Sequence, residues 1–158
     1  MLKVILRIVG AIFIILAVAV SFTDALIQDE LPEKLFNFVK QYVDSQWTFL
    51  LLLNVFLLIV GCLMDIFSAI VVVVPLIVPV AMNYNVDPTH LGIIFLANLE
   101  IGYLTPPVGI NLFLSSMRFK KPVVVMYRVA VPFLLLMLVA LAIITYVPKA
   151  TLLSLIHI

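Results

Sequence analysis

An apolar segment from Leu91 to Met117 carries Gly102-Tyr103-Leu104-Thr105-Pro106-Pro107-Val108-Gly109 at its centre. The segment is long enough to cross a bilayer, which takes about 20 apolar residues. Pro106 and Pro107 each lack a backbone donor and clash with the carbonyl four residues earlier. Gly102 and Gly109 flank them and permit backbone angles that a helix does not use. The helix is therefore predicted to break at membrane depth. Irregular backbone there is tolerated only where it is buried in protein or lines a cavity.

Composition narrows the class. Of the 158 residues, 66% are hydrophobic and 11% charged, which points to membrane spans and not to a soluble core. A net charge of +1 gives no electrostatic support for nucleic-acid binding. Cys62 is the single cysteine, so no internal disulfide or thiolate cluster is implied. His90 and His157 have no cysteine or carboxylate partner at metal spacing, and no GxxxxGK[ST], HExxH or GxSxG motif occurs. Nucleotide-driven and hydrolytic enzymes are disfavoured.

Residues 1–23 form the first apolar run, with Lys3 and Arg7 at its start. A basic start, an apolar middle and Ala17-Val18-Ala19 also describe a secretory signal peptide. The polytopic remainder favours an uncleaved span with its basic end in the cytoplasm. Residues 24–46 are the one polar stretch of any length. Pro32 is placed to open a helix, and Leu35, Phe36, Phe38, Val39, Tyr42 and Val43 recur at helical spacing. This predicts an amphipathic helix on the membrane surface or against a neighbouring helix.

Residues 47–82 are too long for one span and short for two with a turn. Gly61-Cys62-Leu63-Met64-Asp65 interrupts them, predicting a re-entrant hairpin with arms 47–60 and 67–82 and a tip near 61–66. Such arms are roughly 21–24 Å long, short of the ~30 Å hydrocarbon core. Asn85, Asp87 and Pro88 predict a loop, and Asp87 or Thr89 caps the next helix. The broken span 91–117 follows, and a last span runs over 129–147. Arg118, Lys120, Lys121 and Arg128 form the strongest basic cluster, expected in the cytoplasm. With Lys3 and Arg7 also inside, 47–82 crosses an even number of times; a hairpin and two full spans both satisfy that parity. The fold expected is an all-α integral membrane protein with broken transmembrane helices and one re-entrant hairpin.

Two readings stand for most polar residues. Asp65 is an intramembrane carboxylate, a functional candidate by default, and equally a helix cap. The Gly102–Gly109 break is either a packing kink or a site where unwound carbonyls and the Thr105 hydroxyl bind a hard cation such as Na+, helped by the C-terminal ends of half-helices. Thr-Pro-Pro bracketed by glycines favours the site. Gly61 is expected to face the break. Asn98 and Glu100 lie just before it and are site-shaping candidates, as are Pro106 and Pro107. Asn54 reads as an interhelical hydrogen-bonding residue. Ser68, Asn111, Ser115 and Ser116 are weaker candidates, and Cys62 reads as a small residue at a tight tip.

From Asn54 to Phe113 the chain resembles the large membrane subunit of TRAP transporters, the tripartite ATP-independent periplasmic carriers. The resemblance rests on Gly61-x-x-x-Asp65, Pro75-x-x-x-Pro79, Asp87-Pro88-x-His90-x-Gly92, and Ile101 through Gly109 followed by x-x-Leu112-Phe113. It implies Na+-coupled import of organic acids, commonly C4-dicarboxylates or sialic acids, across the bacterial inner membrane by an elevator-like motion. It implies a periplasmic substrate-binding protein and a small membrane subunit as partners, with Na+ as coupling ion and no other cofactor. Carried over by motif, Gly61, Gly102, Thr105 and Val108 hold Na+, mostly through backbone carbonyls. Only the second of the family's two inverted repeats is matched, so the chain is expected to be a C-terminal piece. Leu153–Ile158 reads as sequencing-adaptor read-through, which makes His157 an artefact, and Met1 reads as an internal methionine.

Overall fold

The computed structural model describes residues 2–152, and among these every regular element is a helix. Met1 and residues 153–158, with the adaptor reading and His157, lie outside the described residues. Among the described residues, four helices are long and apolar enough to cross a membrane.

The first helix, α1 (Leu2–Gln28), runs beyond the apolar stretch and takes in Thr23 and Asp24. α2 (Leu31–Lys40) starts on Pro32, whose missing N–H costs nothing in a first turn. Its stripe is split: Phe36 and Val39 pack on the core, whereas Leu35, Phe38 and Tyr42 stay exposed. α2 rests on α4, so it is a packed helix on one edge and an amphipathic surface on the other.

α3 (Gln46–Leu63) and α4 (Ile66–Asn83) are joined by Met64 and Asp65 alone. Both arms are longer than the sequence suggested. Gly61 and Cys62 do not unwind but form the last turn of α3, because nothing before Asp65 competes for the backbone. Each arm has 18 residues, about 27 Å of helix. Asp65 starts α4 by accepting the amides of Phe67 and Ser68 at 3.0 and 3.1 Å and the Ser68 hydroxyl at 2.5 Å.

α4 contains Pro75 and Pro79. Pro75 has no N–H, so the Val71 carbonyl loses its helical donor. The buried Thr23 hydroxyl of α1 reaches that carbonyl at 3.1 Å, sharing its proton with Ala19 O at 2.9 Å. A neighbouring hydroxyl thus repairs a proline break, the usual remedy in an apolar medium.

Asp87 caps α5 (Pro88–Gly102) through the amides of Thr89 and His90. The His90 amide donating to it holds the Asp87 carboxyl below the usual carboxylate range. After the break come α6 (Ile110–Phe119), α7 (Val123–Tyr146) and the short α8 (Pro148–Leu152). α7 begins at Val123, directly after Pro122, and so takes in Tyr127 and Arg128 ahead of the expected start at 129.

The core lies where α3, α4 and α5 meet, around Leu53, Leu57, Ile77, Leu91, Ile94 and Leu99. Tyr84 closes its loop end, stacking on Phe49 with ring centroids 4.4 Å apart and donating to Val43 O at 2.7 Å. Most of α1 and α7 presents apolar side chains outward.

Candidate functional site

α3 and α5 make the most extensive helix contact in the fold. Asn54 meets Asn98, and further along both helices Gly61 meets Gly102. The two contacts advance in step, so the helices run parallel and their C-terminal ends converge. The convergence is backbone on backbone. A Cβ added to Gly102 would lie 2.5 Å from the Gly61 carbonyl carbon and 2.6 Å from its Cα; one added to Gly61 would lie 3.0 Å from Leu99 Cα. Gly61 is therefore glycine for close approach, not for a turn.

Beyond that contact both helices stop, α3 at Leu63 and α5 at Gly102. The last carbonyls of a helix have no intrahelical partner, and each end carries a partial negative charge of about half a unit. The break then runs from Tyr103 to Gly109. Tyr103 N still donates to Leu99 O, Leu104 N to Ile101 O and Thr105 N to Gly102 O, each at 3.0 Å. The Thr105 hydroxyl also donates to Ile101 O, at 2.8 Å. Its proton is thereby committed and its oxygen lone pairs remain. Asn111 N spans the break to Tyr103 O at 3.3 Å, and Gly109, at φ +50°, opens α6.

The remaining sequence candidates divide around this point. Thr105 is half-buried, whereas Pro106, Pro107 and Val108 are exposed. Asp65 and Glu100 are both exposed, and Tyr103 is half-buried. The two carboxylates therefore lie at the exposed rim, outside the buried Gly61–Gly102 contact. Asp65 is a cap in this structure. Ser68 completes that cap, and Ser115 bonds its own helix at Asn111 O.

Asn98 lies one turn before the break and is fully buried. Its amide donates to Asn54 Oδ1 at 2.6 Å and to Ile94 O at 2.8 Å. Asn54 donates in turn to Leu50 O and to Thr145 Oγ1 at 2.9 and 3.1 Å. The sequence reading of Asn54 as an interhelical bond matches this. His90, also buried, places Nε2 3.2 Å from Thr145 O and Nδ1 2.8 Å from Thr151 Oγ1. A polar seam therefore joins α3, α5, α7 and α8. Asn98 Oδ1 is the buried side-chain atom left without a partner among the described residues.

Sequence reasoning missed Thr145, His90 and Tyr127. Tyr127 reaches the break from α7, with its hydroxyl 3.2 Å from Pro107 O and 3.4 Å from Val108 O. Thr145 and His90 left no signal, since a lone threonine in an apolar run and a histidine in a loop motif are ordinary. Tyr127 was detectable from Pro122, which marks an earlier helix start. Among the described residues no group of three His, Cys, Asp or Glu is placed to hold a metal ion.

The family model described as the tripartite ATP-independent periplasmic transporter, DctM component, matches residues 1–150. The chain belongs to the DctM family. It is 41% identical over 138 residues to the C4-dicarboxylate TRAP transporter large permease protein DctM of Pseudomonas aeruginosa, covering 87% of this chain and 32% of that protein. It is 36% identical over 137 residues to the isethionate TRAP transporter permease protein DctMQ of Oleidesulfovibrio alaskensis, covering 87% and 22%. The sialic acid TRAP transporter large permease protein SiaM of Vibrio cholerae shares 33% identity over 126 residues, covering 80% and 30%. The chain thus spans a third or less of the length of these relatives. It is a multi-pass membrane protein of a transporter family, not of an enzyme family.

Proposed function

We propose that this chain supplies one cation-binding half of a Na+-coupled TRAP permease that imports a small organic acid across the bacterial inner membrane. The observation that carries this reading is the meeting of the α3 and α5 carbonyl ends at Gly61 and Gly102, beside a helix broken at Thr-Pro-Pro. Na+ is a hard cation that takes oxygen ligands, and broken membrane helices present such oxygens at their C-terminal ends. The residues fit the ion. Carbonyls of Gly61, Gly102 and Val108 supply neutral oxygen, and Thr105 Oγ1 keeps lone pairs because its proton is spent on Ile101 O. Asp65 serves the site as the cap that fixes where α4 begins.

C4-dicarboxylate, isethionate and sialic acid in the relatives' names share one anionic acid group on a small polar body. The substrate class proposed here is the same. A periplasmic substrate-binding protein delivers it, and a small membrane subunit braces the permease. The turn between α3 and α4 acts as a re-entrant tip, and the α3–α5 pair moves as part of an elevator-type body. The rest of the substrate pocket belongs to the length that the relatives have beyond the matched region.

The test is uptake by a complete permease carrying this sequence as its matching part, reconstituted with the two partner subunits in proteoliposomes. Thr105→Ala should raise the Na+ concentration for half-maximal uptake about tenfold, the effect of losing one hydrogen-bond-sized oxygen contact of about 1.4 kcal/mol. A packing-only role for the break predicts an unchanged Na+ dependence, and that result at normal membrane levels would reject the site.

A further inference from the structure

Two carbonyls of the break have lost their helical donors in a way the sequence alone does not show. In an unbroken helix Pro107 O would accept from Asn111 N, and Val108 O from Leu112 N. Here Asn111 N donates to Tyr103 O at 3.3 Å and Leu112 N to Gly109 O at 2.8 Å. A single group from another element reaches both carbonyls. The Tyr127 hydroxyl of α7 lies 3.2 Å from Pro107 O and 3.4 Å from Val108 O. Its ring also bears on the break, since Cε1 would lie 3.3 Å from a Cβ placed on Gly109. Gly109 at φ +50° thus has two reasons to be glycine, its left-handed backbone and the ring over it. A phenol has one proton and can serve either carbonyl, so it holds the pair rather than one member.

We infer that Tyr127 is a positioning residue, which aims the Pro107 and Val108 carbonyls and thereby sets the cation affinity of the break without itself binding the ion. This rests on the reading of Val108 as a Na+ ligand. The chemistry is indirect. A carbonyl dipole attracts a cation most strongly when it points at the ion, and an exposed proline-rich turn without an external donor can rotate its peptide planes. Tyr127 limits that rotation through a hydrogen bond, which is a bond of modest net worth. It also ties α7 to the break, so a movement of α7 is felt at the site.

The experiment is Na+-dependent uptake by the same complete, reconstituted permease with Tyr127→Phe, which keeps the ring over Gly109 and deletes the donor. The Na+ concentration for half-maximal uptake should rise about 3- to 10-fold, with the maximal rate and the organic-acid KM at saturating Na+ unchanged. A lower maximal rate with an unchanged Na+ half-saturation would overturn the proposal, because it marks general packing damage. So would a parental Na+ profile for Tyr127→Phe while Thr105→Ala is shifted; the cation reading would then stand without Tyr127. Flat profiles for both variants would reject the cation reading and this inference together. Folded yield by size-exclusion chromatography accompanies each variant, and Tyr127→Leu, which also uncovers Gly109, should lower that yield where Tyr127→Phe does not.

Discussion

Gly102 shows how much one missing methyl can decide. Ordinary overpacking in a core costs about 1–3 kcal/mol because flexible side chains give way. A Cβ on Gly102 meets backbone at 2.5 and 2.6 Å, and Cys62 N at 2.9 Å, so no side chain can yield. Gly102→Ala is expected to lose more than that range in thermal unfolding of the detergent-solubilised protein, with α3 and α5 forced apart. Gly61→Ala meets nothing closer than 3.0 Å and should cost less. Equal effects of the two substitutions would contradict this ordering. The same scale holds at Thr105: the bond to Ile101 O orients its lone pairs, which the residue type alone does not determine.

Elements in this protein are broken by proline and repaired by neighbours. The Val71 carbonyl, orphaned by Pro75, is served by Thr23 from α1; the Pro107 and Val108 carbonyls are served by Tyr127 from α7. Removing the first repair tests the idea away from the site. Thr23→Val keeps shape and deletes the hydroxyl, and should destabilise the α1–α4 contact by about 0.6 kcal/mol, the average for hydrogen bonds between membrane helices. Thr23→Ser, which keeps the hydroxyl, should recover most of it. Chemical denaturation in micelles measures both, and an unaffected Thr23→Val protein would show that Val71 O finds another donor. The lengths of α3 and α4 belong to this scale too. At 18 residues each, both approach the hydrocarbon thickness, so arm length does not separate a re-entrant hairpin from two full spans.

Across the whole molecule a buried seam from His90 through Thr145 and Asn54 to Asn98 fastens the end of α7 to the α3–α5 pair. If the seam makes these helices one body, a double-mutant cycle of Asn54→Leu and Asn98→Leu should give a coupling of about 0.5–2 kcal/mol in unfolding free energy. Strict additivity would mean the helices are held by apolar packing alone. The sequence by itself determined the helical, membrane-spanning class, the interruption at Asp65 and the break at Thr-Pro-Pro. Each follows from local chemistry: apolar length, a capping carboxylate, and prolines without donors. It also suggested that Gly61 faces the break, though at an unwound tip and not, as here, inside the last turn of α3. Tertiary structure alone decided that α3 and α5 run parallel, so that their carbonyl ends converge and their dipoles act together on one point. It alone decided that Asn98 turns into a seam with Thr145, that Asp65 and Glu100 stay at the rim, and that Tyr127 reaches back over the break. Those facts depend on which faces of distant helices meet, and apolar faces in a membrane carry too little sequence pattern to say which.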